Sequence, residues 1–129
     1  MGGFPYPIFV AYASLPADVS HAITKAMITG YDAYKDAAPG ASGLAVGAQT
    51  KQWVVPFHAG AAKALKEAGN WTADDEAYNN GLLKRQGVLA DAWAVYLKSN
   101  PPDDKQQFQT TWMEARKSAL VAAGLEPIL

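Results

Sequence analysis

Residues 52–71, QWVVPFHAGAAKALKEAGNW, most constrain what this chain can fold into, because they pass from β-favouring residues to a small-residue helix across Pro56, Phe57 and His58. Trp53, Val54 and Val55 favour extended backbone, and Pro56 holds Val55 in the β or polyproline region. Gly60, Ala61, Ala62, Ala64 and Leu65 then suit a helix that Gly69 ends. His58 stands just before that helix, which leaves two readings open. Unpaired first-turn N–H groups could hold a carboxylate or phosphate with the imidazole as an added donor. Alternatively His58 caps the helix or pins the turn, and Gly60 and Ala61 are small because another element packs close. Trp53 and Phe57 divide in the same way, between lining a ligand cleft and filling a core.

On the N-terminal side, residues 8–12 (Ile-Phe-Val-Ala-Tyr) read as a short strand that needs cover on both faces. Its internal candidate partner is residues 52–55; otherwise the partner lies outside this chain. Ser14 is the expected N-cap of the next helix, with Pro16 in its first turn and Asp18 near its positive end. Val19, Ile23, Ala26, Met27, Gly30 and Tyr34 then form one apolar stripe at three- and four-residue steps, the mark of a packing helix. His21 borders the stripe with no acid or nucleophile spaced to meet it. Residues 36–51 turn to Gly, Ala, Ser and Pro and read as a loop with a helical turn near Leu44. These glycines lack the lysine and Ser/Thr of a phosphate cradle.

On the C-terminal side, Thr72 caps the longest helix, residues 72–99, and Asp74, Asp75 and Glu76 are first-turn acids rather than a metal cluster. Tyr78, Leu82, Leu89, Trp93 and Tyr96 line one side of it, widened by Leu83, Val88, Ala92 and Leu97. Gly81 and Gly87 in its interior suggest either a close backbone approach or a bend. Asn100-Pro101-Pro102 ends it. Asp103 and Asp104 open a last helix with Phe108, Trp112, Ala115, Ala119 and Ala122 as its stripe, closed by Gly124.

A chain of 129 residues, half of them apolar, suits one compact domain over residues 1–129. A net charge of −1 gives no reason to expect nucleic acid or an anionic membrane as partner. With no cysteine, and two histidines separated by a loop, no catalytic or metal-ligating constellation forms. The chain therefore reads as no enzyme, with no cofactor. No apolar run approaches the roughly 20 residues of a membrane span, and MGGFPYP lacks the regions of a signal peptide. The fold class expected from the residues is mainly α, with one or two short β-strands.

The order VPFHAGAAKALKEAG followed by NWT resembles the VP-aromatic-H-x-GA-(I/A)-(K/R)-x-x-KE-x-G signature near the C-terminus of TAXI-family receptors, the solute-binding proteins of TRAP transporters. GGFPYPIFVAY is similar to that family's G-x-PYP-x-x-VAY, HAITKAM to its helix ending in TKAM, KDAAPGASG to its loop, and WTADDEAYNNGLLKRQGVLADAW to its long C-terminal helix. The likeness runs from about Gly3 to about Leu97. The chain departs from the pattern at Ala59, where proline or aspartate is common, and at Ala64 and Leu65, where aromatics are common.

The resemblance implies the C-terminal part of a two-lobed α/β periplasmic-binding-protein fold (type II-like), with the export signal and first lobe upstream of Gly3. It further implies an extracytoplasmic, periplasmic receptor that binds a small organic acid or amino acid and delivers it to TRAP permease subunits in the membrane. Tyr6, Trp53 and His58 are the ligand-binding candidates. Arg85 and Arg116 fall on long-helix faces, which assigns the main anion grip to the absent lobe. The competing expectation is a free-standing helical interaction module with no solute, its stripes burying a partner or a second copy in a homo-oligomer.

Overall fold

The computed structural model describes residues 9–127, which divide into two compact units, Met1–Asn79 and Asn80–Leu129. The elements are α1 (Ala17–Thr29), α2 (Tyr31–Tyr34), α3 (Ala59–Glu67), α4 (Ala73–Lys98) and α5 (Lys105–Ala122), with 3-10 turns at Ala41–Leu44 and Val46–Ala48. The mainly helical expectation holds. The strands do not: among the described residues none is a strand. Residues 9–12 and 52–55 do not pair, and Phe9, Val10, Tyr12 and Val54 stand in solvent. β-favouring side chains cannot make a strand without a second edge to take their N–H and C=O groups.

In the first unit, α1 and α3 cross where their backbones touch. A Cβ built on Gly60 would lie 2.1 Å from the Ala17 carbonyl oxygen, 2.6 Å from the His21 amide nitrogen and 2.9 Å from Ser20 Cβ. The expectation that Gly60 is small because another element approaches is therefore met. The apolar stripe of α1 is not what this crossing uses. Ser20 is the buried residue of the helix, while Val19 and Ile23 remain 41% and 50% exposed. Two backbones in contact require the face that offers the smallest groups, so α1 turns its Ala17, Ser20 and His21 side to Gly60. The core of this unit is correspondingly small-residued, with Ala62, Ala64 and Leu65 buried on α3.

The helix also starts later and stops earlier than its signals suggest. Pro16, not Ser14, is the N-cap of α1, with no side-chain cap bond, and Gly30 separates α1 from α2. The Tyr34 hydroxyl donates to the Met27 carbonyl at 2.8 Å and the Tyr31 hydroxyl to the Ser42 carbonyl at 3.2 Å, which ties α2 to α1 and to the loop. The expected helical turn near Leu44 is present.

Helix α3 ends in a Schellman motif: the Asn70 N–H donates to the Leu65 carbonyl and the Gly69 N–H to that of Lys66, with Gly69 at φ +70°. The same motif closes α5, where Leu125 N–H donates to Leu120 and Gly124 N–H to Val121, with Gly124 again at φ +70°. At its other end the Asp104 carboxylate accepts from the N–H groups of Gln106 and Gln107.

The second unit is an antiparallel hairpin of α4 and α5, held at one end by aromatics and at the other by cations. Trp93 meets Trp112 edge-to-face at 4.7 Å and Phe108 at 5.9 Å. Tyr96 is buried among them, its hydroxyl donating to the Phe108 carbonyl at 3.1 Å and 2.6 Å from the Thr111 hydroxyl. At the far end Lys84 donates to the Ala123 carbonyl and Arg85 to that of Glu126, complementing the negative end of α5. Leu120, absent from the expected stripe, is the most buried side chain at 1%. No other element comes within 4 Å of a Cβ built on Gly81 or Gly87, so of the two readings of these glycines the close approach is not made among the described residues.

Candidate functional site

The junction between residues 51 and 79 gathers most of the polar contacts of the first unit, and each follows from a local rule. Thr72 and Asp75 form a reciprocal cap. The Asp75 N–H donates to Thr72 Oγ1 at 3.1 Å, while Asp75 Oδ2 accepts from the Thr72 N–H and from its hydroxyl, both at 2.8 Å. Lys51 Nζ comes to 3.1 Å from the same Asp75 oxygen and donates to Asn70 Oδ1 at 3.3 Å. The Asn70 side-chain amide in turn donates to the Val46 carbonyl, so the glycine-rich loop is fastened to the α3–α4 corner. The Asp75 carboxyl is held below its ordinary value, first by the Thr72 N–H, then by the Thr72 hydroxyl, with Lys51 adding to both.

A second layer surrounds Trp71. Its ring meets Phe57 edge-to-face at 5.3 Å, and its indole N–H donates to Glu76 Oε2 at 2.7 Å. Lys66 Nζ reaches the same oxygen at 2.7 Å, and with the indole it holds the Glu76 carboxyl below its usual range. Asn79, 6% exposed, accepts the Phe57 N–H on Oδ1 at 2.7 Å. Across the α1–α3 crossing, His21 Nε2 lies 3.0 Å from Glu67 Oε1 and Lys25 Nζ 3.4 Å from Oε2. His21 is the larger cause and Lys25 a further one of the lowered Glu67 carboxyl.

Of the expected ligand residues, Tyr6 lies outside the described residues. Trp53 is half-buried on the irregular stretch that leads to α3. His58 is the N-cap of α3, and its Nδ1 accepts the Gly60 N–H at 3.2 Å, which realises the capping reading. Because Nδ1 accepts, it carries a lone pair, and in the neutral ring the proton is on Nε2. His58 can therefore cap α3 and keep an N–H on its other ring nitrogen.

Asp75, Asn79, Lys51 and Asn70 were not expected at this site. For Asp75 the signal was in the sequence, since Thr72-x-x-Asp75 is a capping-box spacing. For Asn79 only its i, i+4 spacing from Asp75 was readable, because its partner lies 22 residues away in the chain. Among the described residues no three His, Asp or Glu side chains group as a metal site, and no helix is long and apolar enough to cross a membrane.

Residues 6–69 match the model of the NMT1-like family, which is of periplasmic solute-binding type. The match takes in Trp53 and His58 and ends at Gly69, the glycine that terminates α3. No curated protein and no solved structure matches the chain.

Proposed function

We propose that residues 1–129 act as one domain, the C-terminal part of a two-lobed extracytoplasmic receptor of the TAXI family. In this reading the receptor binds a small organic acid or amino acid in the periplasm and passes it to TRAP permease subunits. The match of residues 6–69 to a solute-binding family carries the reading. Two features support it. Residues 9–12 and 52–55 have strand-forming composition and, among the described residues, no strand to pair with, as expected of segments whose sheet belongs to another lobe. Val19 and Ile23 keep an apolar face of α1 uncovered.

Tyr6, Trp53 and His58 are the residues assigned to the solute. His58 contributes Nε2–H beside the α3 N-terminus, a pairing suited to a carboxylate. A solute-binding role involves no bond-breaking step, so the chain is read as no enzyme.

A thermal-shift series of organic acids and amino acids on the longest natural form of the protein tests this. A true ligand at a hundred times its Kd adds about 2.7 kcal/mol of stability. No shift with any acid or amino acid rejects the receptor reading. The exposed Val19 and Ile23 face favours a second reading, a helical module that associates with itself. Concentration-dependent dimers in light scattering, with no response to any solute, select that one.

A further inference from the structure

We infer that residues 52–56 form a strap whose shape is set by two positioning residues on α4, Asp75 and Asn79, rather than by the strap's own preferences. Its sequence, Gln-Trp-Val-Val-Pro, asks for a strand, yet no strand forms, and Val54 is 72% exposed. A segment with that composition and no ladder needs another source of order.

The structure supplies it at both ends. Before the strap, Lys51 is held 3.1 Å from Asp75 Oδ2; after it, the Phe57 N–H is held 2.7 Å from Asn79 Oδ1. Asp75 and Asn79 are four residues apart and so share one face of α4. They are also two of the three buried polar side chains among the described residues, 8% and 6% exposed, with Ser20 the third. A buried polar side chain is costly unless its hydrogen bonds are made; Asn79 meets the Phe57 N–H, and Asp75, already bonded to Thr72, takes Lys51 as a further partner. The i, i+4 pair is thus a two-point clamp, and the span between its points fixes where Trp53 sits. The function of the strap, presenting Trp53 and His58 to a carboxylate solute, rests on the receptor reading above; the clamp does not.

Hydrogen exchange read by mass spectrometry on the full chain tests both, for wild type, Asn79→Ala and Asn79→Asp, with and without succinate as probe. Losing the Asn79 acceptor should speed exchange of the Phe57 amide roughly fivefold while α1 and α3 keep their wild-type rates. Asn79→Asp keeps an acceptor oxygen and should restore slow exchange. Lys51→Met attacks the other end without touching α4, and should loosen residues 52–53 alone.

Unchanged exchange in both Asn79→Ala and Lys51→Met overturns the inference. So does an equal rise throughout α1 and α3, which would make Asn79 a general stability residue. Succinate protection of residues 52–58 in wild type, lost in Asn79→Ala, supports the presenting role. Loosening as expected, with no protection by succinate, keeps the clamp and counts against the carboxylate receptor.

Discussion

The two units solve the packing of helices in opposite ways. In the first, α1 and α3 touch backbone to backbone at Gly60, and polar clamps at Asp75, Glu76 and Asn79 fix the rest. In the second, α4 and α5 are spaced by Trp93, Tyr96, Phe108 and Trp112, and the glycines of α4 touch nothing. Glycine in the first unit is a requirement of contact. In the second, the interior glycines of α4 meet no described residue, and Gly124 serves the turn that ends α5. Each difference can be broken by substitution.

The largest effect should come from Gly60→Ala. Its Cβ would need the space of the Ala17 carbonyl oxygen and the His21 amide, both backbone, so α1 and α3 must part rather than a side chain rotate. Overpacking of this kind costs up to about 3 kcal/mol, and more where backbone is the obstacle. Urea unfolding followed at Trp71 should show the loss. A midpoint within error of wild type would mean that the crossing is not held as close as described.

Leu120→Ala is the counterpart in the second unit. Leu120 is 1% exposed, and truncating a core leucine costs about 2–5 kcal/mol depending on how far the cavity collapses. Thermal unfolding reads the loss, and an unchanged midpoint would show that the aromatic cluster at the other end holds the hairpin without Leu120.

What was legible in the sequence follows the same division between short and long range. Helix ends were readable wherever a cap and its partner lie within a few residues, as with Thr72, Asp104, Gly69 and Gly124. Gly60 was readable as a close approach because glycine has few other reasons to open a helix. The inward face of α1 was misread, since periodicity selects Val19 and Ile23 while the crossing selects Ser20, a choice that Gly60 on another helix makes. The strands were misread for a related reason: composition records a preference for extended backbone but not whether a partner edge exists. The cap made by His58 was legible, whereas the contact of Asn79 with Phe57 spans a distance that no local pattern carries.

The reciprocal cap at Thr72 separates the units again, at about 1 kcal/mol for Thr72→Ala. Its acid partner gives a pH dependence with a definite sign. Asp75, Glu67 and Glu76 all have lowered folded values, so their stabilisation is complete above the unfolded carboxyl values and is lost as pH falls below about 4. All three belong to the first unit. Acid titration should therefore release Trp71, which bonds Glu76, before the Trp93–Trp112 pair, and Thr72→Ala should move the Trp71 transition to higher pH. Simultaneous loss at both sets of tryptophans would reject that order.

The smallest effect has the opposite sign and bears most directly on what the chain is part of. Gly81 and Gly87 lie inside α4 with open space where a Cβ would stand, so alanine at either should stabilise the isolated chain by up to about 1 kcal/mol through helix propensity alone. If α4 is packed closely by another body in the receptor proposed above, the same substitutions there should be neutral or harmful, because the added methyl would meet that body. Thermal midpoints of Gly81→Ala and Gly87→Ala in the 129-residue chain and in its longest natural form make the comparison. A gain in both forms would mean that the glycines serve no approach in either. A gain in the short form and a loss in the long one would place an unseen surface against α4, the counterpart in the second unit of the cover proposed for the exposed Val19, Ile23 and Val54 in the first.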